Sequence, residues 1–133
     1  MGIPGKEIRV LLAKSDQDAH DRGVRYMADV LRDAGMEVIL IRYRICDEVA
    51  KVALQEDVDV VGLSFYSSGY LHDVPTVLRL LKENDKAVVF LVGGTIPKEN
   101  WAMLSEMGVS GIFVAGIPTE EVVKCITSRY AEL

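Results

Sequence analysis

The sequence predicts an α/β fold in which a parallel sheet is covered by helices on both faces. Two observations lead to it: five short apolar runs rich in β-branched residues, and helical patterns between them. The runs do not alternate strictly with polar residues, which indicates strands buried on both faces, as in a parallel sheet. The predicted strands are Ile8 to Ala13, Val38 to Arg42, Val58 to Phe65, Ala87 to Val92, and Gly111 to Ala115.

Each predicted strand is followed by apolar residues at helical spacing. Val24, Met27, Ala28 and Leu31 fall at i, i+3, i+4 and i+7, and Gly35 follows where this helix would end. The other helices are predicted around Val49 to Ala53, Val74 to Leu81, Trp101 to Met107, and Val122 to Tyr130. Five strand–helix alternations in 133 residues favour a doubly wound, flavodoxin-like sheet with strand order 2-1-3-4-5 and helices on both faces.

Composition and charge indicate one domain and argue against several classes of function. The chain has a net charge of -5 and shows no repeat or linker, so we expect one domain over residues 1–133. The lack of clustered Lys and Arg argues against a nucleic-acid partner, since phosphate neutralisation needs such clusters. No apolar run reaches the roughly 18–20 residues that span a bilayer, so we expect a cytoplasmic protein without a membrane partner. Cys46 and Cys125 match no zinc or redox spacing and are expected to be reduced thiols.

The fold predicts where a ligand would bind. In open parallel sheets, ligands lie outside the carboxyl ends of the strands, where the winding reverses. The segment from Lys14 to Gly23 follows the first predicted strand and holds three carboxylates, two cations and one imidazole. Strand-to-helix connections usually run about 2–6 residues. A charged ten-residue connection therefore indicates a functional segment.

A metal ligand is one function this segment could have. If Asp18 accepts a hydrogen bond from one ring nitrogen of His20, the other nitrogen is free to bind a metal, and Lys14 could stabilise the Asp18 charge. The alternative is a solvated loop whose acids, Asp16 and Asp21 included, stabilise a helix N-terminus. One histidine does not complete an ordinary zinc site, which needs three or four protein ligands. A metal bound here would have to arrive with most of its coordination filled.

Three separated motifs resemble those of a known family. Asp18-x-His20-x-x-Gly23, with Ser64 at the end of the third strand and Gly93-Gly94 after the fourth, is similar to the D-x-H-x-x-G, S-x-L and G-G signature of cobalamin-binding domains. The motifs fall at the ends of strands one, three and four. The similarity extends over nearly the whole chain.

The first motif points to one group within that family. In adenosylcobalamin-dependent acyl-CoA mutases of the methylmalonyl-CoA mutase type it reads D-x-H-D-R-G, which Asp21 and Arg22 complete here. The resemblance implies the small, cofactor-binding subunit of a heteromeric mutase that rearranges carbon skeletons by a radical route. The substrate barrel of such enzymes takes about 250 residues. The implied partner is therefore a large barrel subunit, and the chain alone is expected to bind cobalamin and catalyse nothing.

The resemblance also implies roles for individual residues. His20 would be the lower axial ligand of the cobalt in place of the cofactor's own base, with Asp18 orienting the ring and Lys14 continuing the hydrogen-bonded chain. The displaced nucleotide tail would lie beside the sheet, where Ser64 would bind its base. The implied cofactor-binding residues are Lys14, Asp18, His20, Asp21, Arg22, Gly23, Ser64, Tyr66, Ser68, Gly93, Gly94, Phe113 and Gly116.

The sequence departs from the family pattern at three places, one of which is the last turn, where Ala115 and Ile117 replace the usual proline and threonine. Tyr66 stands where leucine is usual, which predicts a differently shaped tail site, and Asp16 is near enough in sequence to compete with Asp18 for the imidazole of His20. His72 is expected to be a surface residue.

Two other functions stay open. One is a stand-alone cobalamin carrier or sensor. The other is a receiver-like signalling domain of the same fold, which would need an aspartate at the end of the third strand, where Ser64 stands.

Overall fold

The structure is a computed structural model that describes residues 7–17 and 19–133. The strands in these residues are β1 (Arg9–Ser15), β2 (Glu37–Tyr43), β3 (Val60–Phe65), β4 (Val89–Gly94) and β5 (Gly111–Val114). The helices are α1 (Arg22–Asp33), α2 (Asp47–Gln55), α3 (Tyr70–Glu83), α4 (Trp101–Met107) and α5 (Thr119–Tyr130), with a 3-10 turn at Lys98–Asn100. No helix in this part of the chain is long and apolar enough to cross a membrane.

The five strands form one parallel sheet in the order β2-β1-β3-β4-β5, which confirms the predicted topology. β1 and β3 are neighbours in the middle of this order. The chain leaves β1 toward one face of the sheet and leaves β3 toward the other. The winding therefore reverses between these two strands, and a crevice is expected at their carboxyl ends.

Two apolar cores cover the two faces of the sheet, as the sequence predicts. Leu11 and Ala13 of β1 pack in the core formed with α2, α3 and α4, whereas Val10 and Leu12 pack in the core formed with α1 and α5. Successive side chains of a strand point to opposite faces. This is why β1 shows a continuous apolar run rather than an alternating one.

Four of the helices end in the same kind of turn. After α1, the amide of Gly35 donates to the carbonyl of Arg32, and the amide of Met36 donates to the carbonyl of Leu31. These two bonds define a Schellman motif, which needs a left-handed residue after the helix. The left-handed residues after α1 to α4 are Gly35, Asp57, Asp85 and Gly108. Each turn directs the chain back toward the next strand.

The connection between β1 and α1 is shorter than the sequence predicts. Lys14 and Ser15 belong to β1, where they pair with Arg42 and Tyr43 of β2. Arg22 and Gly23 belong to α1. The prediction of a loop from Lys14 to Gly23 is therefore wrong at both ends. At the first end, backbone pairing extends β1 past its last apolar residue, and at the second end α1 already begins at Arg22. The connection consists of residues 16–21.

Gly94 generates a prediction about stability. Its φ is 103°, and a Cβ at this position would lie 1.9 Å from the carbonyl oxygen of Phe65. We expect Gly94→Ala to lower the free energy of unfolding by about 2–5 kcal/mol, the sum of a left-handed backbone penalty and overpacking. The measurement is urea unfolding of the variant and the wild type.

Gly35→Ala is the matched control for this prediction. Gly35 is also left-handed, with a φ of 92°, but no atom lies within 4 Å of an added Cβ. Its alanine variant is expected to lose only about 1–2 kcal/mol. Equal losses in the two variants would contradict the steric account of Gly94.

Candidate functional site

A row of predicted site residues crosses the sheet near its carboxyl edge. Lys14 of β1 pairs in register with Ser64 of β3, Ser64 pairs with Gly93 of β4, and Gly93 pairs with Phe113 of β5. Each lies an even number of residues from a position packed in the core with α1 and α5, so all four lie on that face. Four predicted site residues that are far apart in sequence thus meet on one surface.

A cavity of about 330 Å³ lies on this face between the sheet, α1 and α5. We call it the slot. Glycine creates part of its volume: a Cβ on Gly62 would lie 2.8 Å from Cδ2 of Leu12. The predicted site residues that line the slot are Gly23, Ser64, Tyr66, Gly93, Gly94, Phe113 and Gly116. Its volume is at the lower end of the range for ligand cavities, about 300–1,000 Å³.

Some predicted site residues lie elsewhere. Ser68 is exposed after β3, and its carbonyl accepts a hydrogen bond from the amide of Leu71 at the start of α3. Arg22 is exposed in the first turn of α1. Neither residue lines the slot. Asp18 lies outside the described residues.

His20 lies at the same edge of the sheet and is exposed. Its imidazole stacks on Tyr66, with ring centroids 5.0 Å apart and an angle of 29° between the planes. A Cβ on Gly23 would lie 2.8 Å from the Tyr66 hydroxyl oxygen, so a larger residue there would displace the end of the Tyr66 side chain. Tyr66 lines both the slot and a depression that contains His20. Its ring therefore separates the imidazole from the slot.

Lys14 is buried beneath this pair, with 1% of its surface exposed. The Nζ atom is 5.6 Å from the centroid of the Tyr66 ring, which is within cation–π range. The sequence analysis placed this lysine in the connection after the first strand, whereas the structure places it on the central strand β1. A buried ammonium group is stable only with charged or hydrogen-bonding partners. Lys14 is therefore part of the local electrostatics of the site.

Arg42 holds the two ends of the β1–α1 connection. Its Nε atom is 3.3 Å from Oδ1 of Asp16, and its Nη1 atom is 3.0 Å from Oδ2 of Asp21. Arg25 also contacts Oδ2 of Asp21, at 3.2 Å. The carboxylate of Asp16, which the sequence placed near enough to compete with Asp18 for the imidazole of His20, pairs with Arg42 in the structure.

Sequence reasoning missed this role of Arg42. The sequence signal for it was a basic residue near the end of the predicted second strand, next to the acidic connection. In the structure Arg42 pairs in register with Lys14.

The depression beside His20 measures about 670 Å³ and contains a second polar cluster. The Tyr43 hydroxyl donates to Oδ2 of Asp73 at 2.7 Å, and Nδ1 of His72 is 3.0 Å from Oδ1 of the same carboxylate. Burial, followed by the charge of Asp73, raises the pKa of the Cys46 thiol to about 11. His72 is a surface residue, as predicted, but its contact with Asp73 was not foreseen.

The surroundings of His20 fit a metal ion whose other ligands come from a cofactor rather than from the protein. In residues 7–17 and 19–133, His20 belongs to no group of three metal-ligating side chains. An exposed single imidazole beside a largely apolar slot suits a large cofactor with a bound metal and a tail.

The fold and the site together define a doubly wound α/β domain that binds a ligand at the carboxyl edge of its sheet. Residues 8–124 match the B12 binding domain family, and the chain belongs to this family.

Sequence alignments with known proteins cover most of this chain. It is 40% identical to the 2-hydroxyisobutanoyl-CoA mutase small subunit of Aquincola tertiaricarbonis, over 93% of each protein. It is also 40% identical to the pivalyl-CoA mutase small subunit of Xanthobacter autotrophicus, over 92% of this chain and 84% of that one. Identity to methylmalonyl-CoA mutase of Escherichia coli is 35%, over 96% of this chain but 18% of that enzyme.

Solved structures share the fold at low identity. A cobalamin-binding protein from Desulfitobacterium hafniense matches with a TM-score of 0.75 and 20% identity, over 94% of this chain and 59% of that one. The signal receiver domain of NarL from Mycobacterium tuberculosis matches with a TM-score of 0.71 and 14% identity, over 96% and 99%. These two likenesses concern the fold alone. The family match and the small-subunit relatives do not support the receiver alternative.

The contacts of Arg42 predict how the β1–α1 connection moves. We expect Arg42→Ala to speed amide hydrogen exchange in residues 16–21 by about 2- to 30-fold, because two exposed ion pairs contribute about 0.2–1 kcal/mol each. The measurement is hydrogen exchange at low ionic strength, and high salt should reduce the difference. Arg44→Ala, which changes a nearby exposed cation, should leave exchange unchanged. Unaltered exchange in Arg42→Ala would show that Arg42 does not hold the connection.

Proposed function

We propose that this chain is the adenosylcobalamin-binding small subunit of a heteromeric acyl-CoA mutase. The observation that carries the proposal is an exposed imidazole, His20, beside a largely apolar slot at the carboxyl edge of the sheet. The small-subunit relatives that match over most of their length support the mutase assignment. When bound, the cofactor supplies the radical chemistry by homolysis of its cobalt–carbon bond. The protein supplies binding, orientation and exclusion of water.

His20 is proposed as the lower axial ligand of the cobalt. One ring nitrogen would bind the metal, and the other would be held by Asp18, which fixes the tautomer and raises the basicity of the ligand. The buried charge of Lys14 lies beneath the His20–Tyr66 pair and would stabilise that carboxylate. Asp21 pairs with Arg42 and Arg25, and its proposed role is to position the connection that carries His20.

The slot is proposed as the site of the nucleotide tail. Ser64 is half-buried in its wall, where its hydroxyl can bind a polar atom of the base. Gly93 and Phe113, adjacent in the register, would contact the flat face of the base. Gly94 and Gly116 have positive φ, so glycine at these positions also satisfies the backbone.

The substrate would bind to a partner. We propose that a larger subunit with a barrel fold holds the acyl-CoA and that this chain alone catalyses nothing. The partner would cover the carboxyl edge, because the reacting cofactor must be shielded from water. We expect neither a nucleic-acid nor a membrane partner, and we propose that the complex functions in the cytoplasm.

Absorption titration with adenosylcobalamin and hydroxocobalamin tests the cofactor assignment. The wild-type protein should release the cofactor's own base and show imidazole ligation. Asp18→Asn should weaken binding by about 10- to 100-fold, as outer-shell changes do. His20→Ala should weaken binding more and lose the imidazole spectrum.

His72→Ala is the matched control, because the chain has two histidines. It should keep the wild-type spectrum and affinity. Equal spectra and affinities for wild type and His20→Ala would exclude His20 as the ligand.

Tyr66 generates a second prediction about this site. Its ring stacks on the imidazole and lines the slot, and we propose that it moves aside when the tail enters. An aromatic pair contributes about 0.5–1.5 kcal/mol. We therefore expect Tyr66→Leu to bind cobalamin about 2- to 10-fold more tightly, measured by the same titration. Tyr66→Phe keeps the ring and should behave like the wild type. Weaker binding by Tyr66→Leu would mean that the ring contributes to the bound state.

A further inference from the structure

A second group of metal-ligating side chains lines the same depression as His20 but does not include it. Cys46 directly precedes α2, and His72 and Asp73 lie in the first turn of α3. One ligand atom from each of the three residues lies within 4.8 Å of the others. Cys46, which lies 26 positions before His72, therefore brings a thiol close to the imidazole and the carboxylate of two adjacent residues.

We propose that Cys46, His72 and Asp73 form a binding site for Zn²⁺. Thiolate sulfur, imidazole nitrogen and carboxylate oxygen are the ligands that zinc takes in proteins, and three of them leave a fourth position for water. The two anionic ligands, Cys46 and Asp73, would neutralise the charge of the ion. This charge balance suits a partly buried site, where an uncompensated ion would be unstable.

The carboxylate of Asp73 is already oriented for this role. The hydroxyl of Tyr43, a residue with 2% of its surface exposed, donates to Oδ2 of Asp73 at 2.7 Å. This bond directs Oδ1 toward Nδ1 of His72, 3.0 Å away. Metal ligands are commonly fixed by such outer-shell hydrogen bonds. Zn²⁺ would bind the imidazole nitrogen, the carboxylate oxygen and the Cys46 thiolate, and the thiol proton would be released to solvent.

The scaffold around the cluster is rigid and accessible. Helices α2 and α3 pack against each other, and Val49 and Val74 next to the ligands are fully buried. The depression beside the cluster is about 670 Å³ and leads to the surface, which provides an entry path for the ion. The proposal does not depend on the cobalamin function, because His20 is not a member of the cluster.

The test is a Zn²⁺ titration of the untagged, cobalamin-free protein in competition with a chromophoric chelator. The wild type should bind one ion per chain. Cys46→Ser and His72→Ala should each weaken binding by more than the 10- to 100-fold expected for the outer-shell variant Tyr43→Phe. With Co²⁺ in place of Zn²⁺, the wild type should show thiolate-to-metal charge-transfer absorption, and Cys46→Ser should not.

Cys125→Ser and His20→Ala are the controls and should keep the wild-type affinity for Zn²⁺. The side chain of His72 is 79% exposed, so its removal tests the site without disturbing the core. The proposal is overturned if the wild type binds no stoichiometric Zn²⁺, or if His72→Ala binds it as tightly as the wild type. Loss of binding in His20→Ala would also overturn it, because the ion would then be held at the cobalamin site.

Discussion

The parallel pairing of β1 with β3 is the constraint on which the rest of the site depends. The connection after β1 leads to α1 on one face of the sheet, and the connection after β3 leads to α3 on the other. The two connections therefore diverge at the carboxyl edge and leave a crevice between them. His20 comes from the first connection and Tyr66 from the second. Their contact across the crevice joins two segments that the sequence separates by more than forty residues.

The slot shows how the packing on one face is interrupted for a ligand. Val10 and Leu12 of β1 fill the space under α1 in the ordinary way, but β3 and β4 present Gly62 and Gly93 on this face. A well-packed domain would place side chains there, since interior voids reduce stability. A bound ligand that fills the slot would restore those contacts, and binding to the folded state alone would stabilise the protein. Ligand affinity and fold stability are thus coupled through the same glycines.

Much of the fold could be predicted because burial leaves a local signal. Strands buried on both faces are continuous apolar runs, and seven of the residues that line the slot were predicted as site residues. Lys14 and Ser15 were placed outside β1 because backbone pairing requires no apolar side chain. Arg42 and the Cys46 cluster were missed because their partners are distant in sequence, so no local spacing marks them. The resemblance implied a cofactor-binding role for Ser68, but the turn after β3 leaves it exposed and outside the slot.

The central claim is that the His20 imidazole replaces the cofactor's own base on the cobalt. Electron paramagnetic resonance of the cob(II)alamin complex tests this most directly, because the unpaired electron couples to the axial nitrogen. Protein grown with histidine containing the heavy isotope of nitrogen should show each cobalt line split into two, whereas ordinary histidine should give three. Three lines in the labelled protein would mean that the cofactor's own base stays on the metal, which would contradict the account.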